Sequence, residues 1–166
     1  MADTLFDAER LATPAVAGSR PDAPFVVALP AGLPLINANK RMHQRDRSKL
    51  TRVIRAAAHE AVADSPALMD ALAAAKPGPL FERAHILGVL NPATAGRRRD
   101  PANWYGSFKA AVDGLVDAGV LEDDDHTRVV GPDMRLGRVV KGGQIVLVVT
   151  GLAPDEDPLG VRGVTR

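Results

Sequence analysis

Cysteine is absent from this 166-residue chain, which excludes disulfides and thiolate-ligated zinc as supports of the fold or agents of chemistry. Any metal must therefore take oxygen or imidazole ligands. No apolar run approaches the roughly 20 residues that cross a bilayer, and the opening MADTLFDAER lacks the basic start and apolar stretch of a secretory signal. The expectation is a cytoplasmic protein with no membrane partner. The four histidines, His43, His59, His85 and His126, show no ligand spacing such as H-E-x-x-H, which argues against zinc hydrolase chemistry. G-x-x-x-x-G-K-[ST], G-x-G-x-x-G and G-x-S-x-G are also missing, which removes ATPase, dinucleotide and serine hydrolase readings and leaves no nucleotide cofactor expected.

An excess of one charge is lacking too, with 21 Lys and Arg against 20 Asp and Glu, so net charge says nothing about a polyanionic partner. The distribution does. KRMHQRDRSKLTRVIR at 40–55 holds eight basic residues, His43 included, and one acid, while GRRR at 96–99 adds three and EDDD at 122–125 gathers the acids. A hydrophobic content of 46% in a chain of this length fits one folded domain with a packed core. Residues 1–23 and 153–166, rich in Ala, Pro, Gly and charge without a period, read as loose tails around a domain at 24–152.

Within that domain FVVAL at 25–29 reads as a first strand, closed by Pro30 and Gly32. From a capping Ser48 the apolar spacing turns helical, with Leu50, Val53, Ile54, Ala57, Ala61 and Val62 on one face. PALMDALAAAK at 66–76 reads as a second helix stopped by Pro77-Gly78-Pro79, and 81–90 as a strand. Asp100 and Pro101 suit the cap and first position of a third helix, whose stripe of Trp104, Phe108, Ala111, Val112 and Leu115 ends at Gly119. Residues 126–130 and 144–150 read as two further strands, joined through a connection with a turn at Gly142-Gly143. The order β, α, α, β, α, β, β predicts an α/β or α+β domain, a mixed sheet with helices packed on one face.

Acidic residues flank the third helix. Phosphodiester hydrolysis uses a divalent cation to neutralise the phosphate and activate water, and Mg²⁺ takes a few carboxylates while keeping most of its waters. Asp100 precedes the helix and Asp124 follows it. A helix over 101–118 is roughly 27 Å long, so the two meet only if that helix is shorter or shifted, or if the chain after Gly119 doubles back. On the helix itself Asn103, Gly106 and Asp113 share a polar strip with Lys109 at its edge, where an ammonium suits a phosphate as a point charge. Each feature also has a plain structural reading: Asp100 as a cap, EDDD as a solvated turn, Lys109 as a solvent-facing residue, and the 40–55 segment as an ordinary charged helix start. The alternative for the last is a phosphate-contacting surface of Lys40, Arg41, Arg45, Arg47 and Lys49, joined by Arg97, Arg98 and Arg99 directly before Asp100.

RRRDPANWYGSFKAAVDGLVDAGVLEDDDHTRVV at 97–130 resembles the central segment of RusA-type Holliday-junction resolvases, which reads D-x-D-N, then a helix bearing K-x-x-x-D-x-L, then a Gly and an acidic D-D pair before a strand. INANKRMH at 36–43 is similar to the family's Asn- and Arg-bearing loop, and KGGQIVLVVT to its last strand, so the likeness covers about 25–151. It implies a RusA-like fold and a homodimeric, Mg²⁺-dependent endodeoxyribonuclease, with Mn²⁺ able to substitute, that cuts four-way and other branched DNA in recombination and repair. Phage and prophage genomes commonly carry such proteins. By motif position Asp100, Asn103, Lys109 and Asp124 take the catalytic places, with Asp100 and Asp124 as the metal ligands. Two departures stand out: Ala102 replaces the aspartate before the asparagine, and three extra residues separate Asn103 from Lys109. Asp123 or Asp125 is then a candidate replacement ligand, and the alternative function is a junction-binding protein without catalysis.

Overall fold

A computed structural model describes residues 23–96 and 98–158. Strands β1 (Phe25–Ala28), β2 (Ala84–Asn91), β3 (Val129–Leu136) and β4 (Gln144–Gly151) form one mixed sheet in the order β1-β4-β2-β3. The α-helices are α1 (Gln44–Ala63), α2 (Pro66–Ala75) and α3 (Tyr105–Asp117), the last preceded by a 3₁₀ turn at Pro101–Trp104. The domain is thus mixed α+β.

The long apolar strands β2 and β4 are central and antiparallel to each other, which keeps their ladders away from solvent edges. β3 runs parallel to β2. Parallel neighbours need a crossover, and α3 supplies it. Along β2 and β4 burial alternates, with Ala84, Ile86, Leu90, Ile145, Leu147 and Val149 turned to the core that α1 and α3 cover. Val26, Leu87, Val89, Val146 and Val148 alternate with them and face the other side of the sheet, half-buried or exposed.

Element boundaries depart from the sequence expectation where periodicity is missing. α1 begins at Gln44 rather than after Ser48, with His43 at the cap position making no side-chain cap bond. Its first six residues, 44–49, are all exposed, so no apolar pattern marks them. β2 starts at Ala84, because Leu80 and Phe81 instead donate backbone bonds to Gly119 and Val120 at 3.0 Å. β3 spans Val129–Leu136 and absorbs much of the expected connection. Gly131, Pro132 and Asp133 disguise it, yet an edge strand tolerates proline because its outward N–H needs no ladder partner.

The end of α3 decides where the acidic loop goes. Gly119 adopts φ 81°, a conformation that side chains resist, and closes the helix in a Schellman motif: Val120 N–H donates to the Leu115 carbonyl at 3.0 Å and Gly119 N–H to Val116 at 2.9 Å. Val120 and Leu115, the positions that pair in this motif, are both buried. After Leu152 the chain stays attached, because Arg83 donates to the Ala153 carbonyl at 3.2 Å and to that of Glu156. Residues 153–158 of the expected C-terminal tail are therefore tied to the domain; 1–22 and 159–166 lie outside the described residues. Among the described residues no helix is long and apolar enough to cross a membrane.

Candidate functional site

The site is assembled on α3. Its helical stretch is 13 residues, about 20 Å, and starts at Tyr105 because Pro101 opens a tighter 3₁₀ turn first. The two conditions under which Asp124 can approach the front of the helix are both present: the helix is shorter and shifted, and the Schellman turn sends residues 120–124 back along it. Asp124 reaches Lys109, eight positions before the helix ends, and its carboxylate accepts a hydrogen bond from the Lys109 ammonium. Lys109 also donates to Asp113 Oδ1 at 2.6 Å, one turn ahead on the same helix. One ammonium thus joins a helix carboxylate to a loop carboxylate.

The four acids of the loop are sorted by their partners. Glu122 pairs with Arg128 at 2.5 Å. Asp123 Oδ1 accepts from the Asp124 N–H at 2.7 Å, and Asp125 Oδ1 accepts from the backbone N–H and hydroxyl of Thr127 at 2.7 and 2.5 Å. Those Thr127 bonds hold the Asp125 carboxyl below the usual range. Only Asp124 turns across to α3. Asp123 and Asp125, the candidate replacement ligands, spend an oxygen each on turn geometry.

Asp100 is exposed and its Oδ1 accepts from the Ala102 N–H at 2.9 Å, capping the 3₁₀ turn. No hydrogen bond joins it to Lys109 or Asp124. Asn103 lies in that turn, and its carbonyl accepts from the Ala38 N–H at 2.8 Å. Buried Ser107 completes the fastening: its hydroxyl accepts from the Ile36 N–H at 2.7 Å and donates to the Ile36 carbonyl at 3.0 Å. The loop of residues 36–43 is thereby sewn, through Ile36 and Ala38, to the start of α3 and the turn before it. Ser107 and Asp113 were not among the expected site residues. The Lys109–Asp113 spacing of four was the available signal for the second; a lone serine in an apolar helix face was the signal for the first.

Charges around the site are balanced in pairs. Arg55 on α1 grips Asp117 on α3, with Nη2 2.6 Å from Oδ1 and Nε on Oδ2. That grip raises the Arg55 pKa and lowers that of Asp117. Burial works against the Lys109 ammonium, but its bonds to Asp113 and Asp124 outweigh this and raise its pKa from 10.5. Asp124 is lowered from 3.8, chiefly by the bond from Lys109 and in spite of partial burial. The sign follows from these directions. The pair's contribution is complete above 3.8 and fades as pH falls through the lowered Asp124 value; it is complete below 10.5 and fades as pH rises through the raised Lys109 value. The melting-temperature difference between wild type and Lys109→Met is therefore expected to be level around neutrality and to shrink in acid below 3.8. A difference that stays constant through that titration would mean the pair is not coupled to folding.

No protein-family model matches this chain, and no curated protein matches it. Among the described residues no group of three or more His, Asp or Glu side chains converges closely enough to hold a metal. Two carboxylates, Asp113 and Asp124, converge on the Lys109 ammonium; of these only Asp124 is an expected ligand, and its oxygens are donors of the kind a hard cation takes, since Mg²⁺ commonly uses one or two carboxylates and completes its shell with water and substrate phosphate. The donor chemistry fits that ion.

Most of the expected DNA-contacting cations lie on the surface. Lys40, Arg41, Arg45, Arg47, Lys49 and Arg98 are exposed. Arg99 is half-buried and donates to the Thr94 hydroxyl at 3.0 Å. Arg97 lies outside the described residues. The first turns of α1 carry three of these cations in a stretch that contributes nothing to the core, and positive charge there opposes the helix dipole. Asp46 is the one acid among them.

Proposed function

We propose that this protein is a Mg²⁺-dependent endodeoxyribonuclease of the RusA type, cutting Holliday junctions or other branched DNA by phosphodiester hydrolysis in recombination and repair. The observation that carries the reading is Asp124 folded back over the middle of α3 onto Lys109, a contact made between two of the four residues that the motif singles out. In this reading Asp124 and Asp100 hold Mg²⁺, or Mn²⁺ in its place, which supplies charge neutralisation and an activated water when bound. Lys109 places a positive point charge at the scissile phosphate, and Asn103, in the turn that Asp100 caps, orients the water or Asp100.

The basic residues bind the DNA backbone. Lys40 and Arg41, on the loop that Ser107 and Asn103 fasten to α3, Arg45, Arg47 and Lys49, on the first turns of α1, and Arg97, Arg98 and Arg99, which precede Asp100 in the sequence, provide the cations. Junction affinity should fall steeply with salt, and Arg45, Arg47 and Lys49 changed together to Ala should reduce the log–log salt slope by about 2.7 if each touches one phosphate. An unchanged slope removes these residues from the interface. A homodimer belongs to the same reading, because a four-way junction has near two-fold symmetry and two related sites meet two opposed strands.

The test is cleavage of a synthetic four-way junction against linear duplex, with Mg²⁺ or Mn²⁺ present or chelated. Symmetric nicking that requires metal supports the nuclease. Binding without nicking under either metal would favour a second reading, a non-catalytic junction-binding protein. The observation that favours it is Ala102 beside an Asp100 whose carboxylate caps its own turn.

A further inference from the structure

Lys109 has two carboxylate partners of different kinds. Asp113 is four residues ahead on α3, so its place relative to Lys109 is set by the helix itself. Asp124 is carried by the loop after the Schellman turn, so its place relative to Lys109 is not set by the helix. A divalent cation that takes Asp124 must compete with the ammonium already bonded to that carboxylate. The ammonium, with 42% of the Lys109 side chain exposed, is partly desolvated, and it loses stability if left without a counterion.

Asp113 is bonded by Lys109. Arg55 on α1, whose charge is felt at Asp113, is engaged by both oxygens of Asp117, one turn further along α3. Arg55 therefore does not take Asp113, and Lys109 keeps it at 2.6 Å.

We propose that Asp113 is a positioning residue: it retains the Lys109 ammonium when Asp124 turns to a divalent cation, so that the loop carboxylate is released for the metal while the lysine stays in place for the phosphate. The inference rests on the nuclease reading and deepens it. Without Asp113 the ammonium has Asp124 as its sole carboxylate among these two, and metal must break that ion pair outright.

The experiment measures Mn²⁺ binding to the full chain by titration calorimetry, without DNA, for wild type, Asp113→Asn, Asp113→Glu, Lys109→Met and the double variant Lys109→Met/Asp113→Asn. Thermal melting confirms that each is folded, and Asp113→Glu serves if Asp113→Asn is not. Asp113→Asn is expected to weaken Mn²⁺ binding about tenfold, the scale of an outer partner at a metal site, and Asp113→Glu to recover most of it. In the Lys109→Met background Asp113→Asn should change nothing, since there is no ammonium to retain. An unchanged affinity in Asp113→Asn, or an equal loss in the Lys109→Met background, overturns the role given to Asp113 and leaves the nuclease reading standing. Failure of the wild type itself to bind Mn²⁺ overturns the metal assignment, and the role of Asp113 with it.

Discussion

Asp124→Asn is expected to lower metal-dependent junction cleavage by at least about 100-fold while the protein stays folded. The substitution keeps the side chain's shape and removes the charge, so it strikes the one loop carboxylate that folds back onto α3. Even outer partners of a metal site cost 10–100-fold when lost, so a ligand should cost at least the upper end of that range. Stability is expected to change little, because the Lys109–Asp124 pair is partly exposed, Lys109 keeps Asp113, and such pairs contribute at most about 1 kcal/mol. The assay is junction cleavage under single-turnover conditions beside a thermal melt. Cleavage by the variant at the wild-type rate would remove Asp124 from the metal site.

Phe108→Ala is expected to destabilise the domain by about 3–5 kcal/mol, enough to consume a large part of the 5–15 kcal/mol typical of a folded domain. Phe108 is fully buried on the face of α3 that meets the sheet. Its ring lies so close over Gly88 on β2 that a Cβ there would come within 2.6 Å of it. No neighbour can fill the space its removal leaves without moving either the helix or the central strand. The effect reaches function by position: Lys109 is the next residue, and Ser107, which fastens the basic loop, is the one before. Chemical denaturation reads the loss; a change below about 1 kcal/mol would mean the helix–sheet packing described here does not hold the site.

The amphipathic α3 and the strands β2 and β4 were legible in the sequence because their signals are local. Trp104, Phe108, Ala111, Val112 and Leu115 repeat at helical spacing, and AHILGVLN and QIVLVVTG are apolar runs bounded by turn residues. Where local signals are weak, boundaries moved. The exposed opening of α1 has no apolar face to announce it, and β3 carries Gly131-Pro132 inside an edge strand, where the ladder with β2 shifts register and proline is tolerated.

Composition and pattern by themselves determined the absence of cysteine chemistry, the segregation of basic and acidic segments, the order β, α, α, β, α, β, β and the apolar stripes that make the core. Those properties depend on residue type and spacing along the chain, which the sequence states directly. Tertiary structure alone decided which acid of 122–125 faces the helix, that Lys109 stands between Asp113 and Asp124, and that Ser107 binds the basic loop to the same helix. The reason is that each of these contacts is set by a chain reversal at Gly119 or by a hydrogen bond spanning as many as 71 residues, and a pairing at such separation has no period to read.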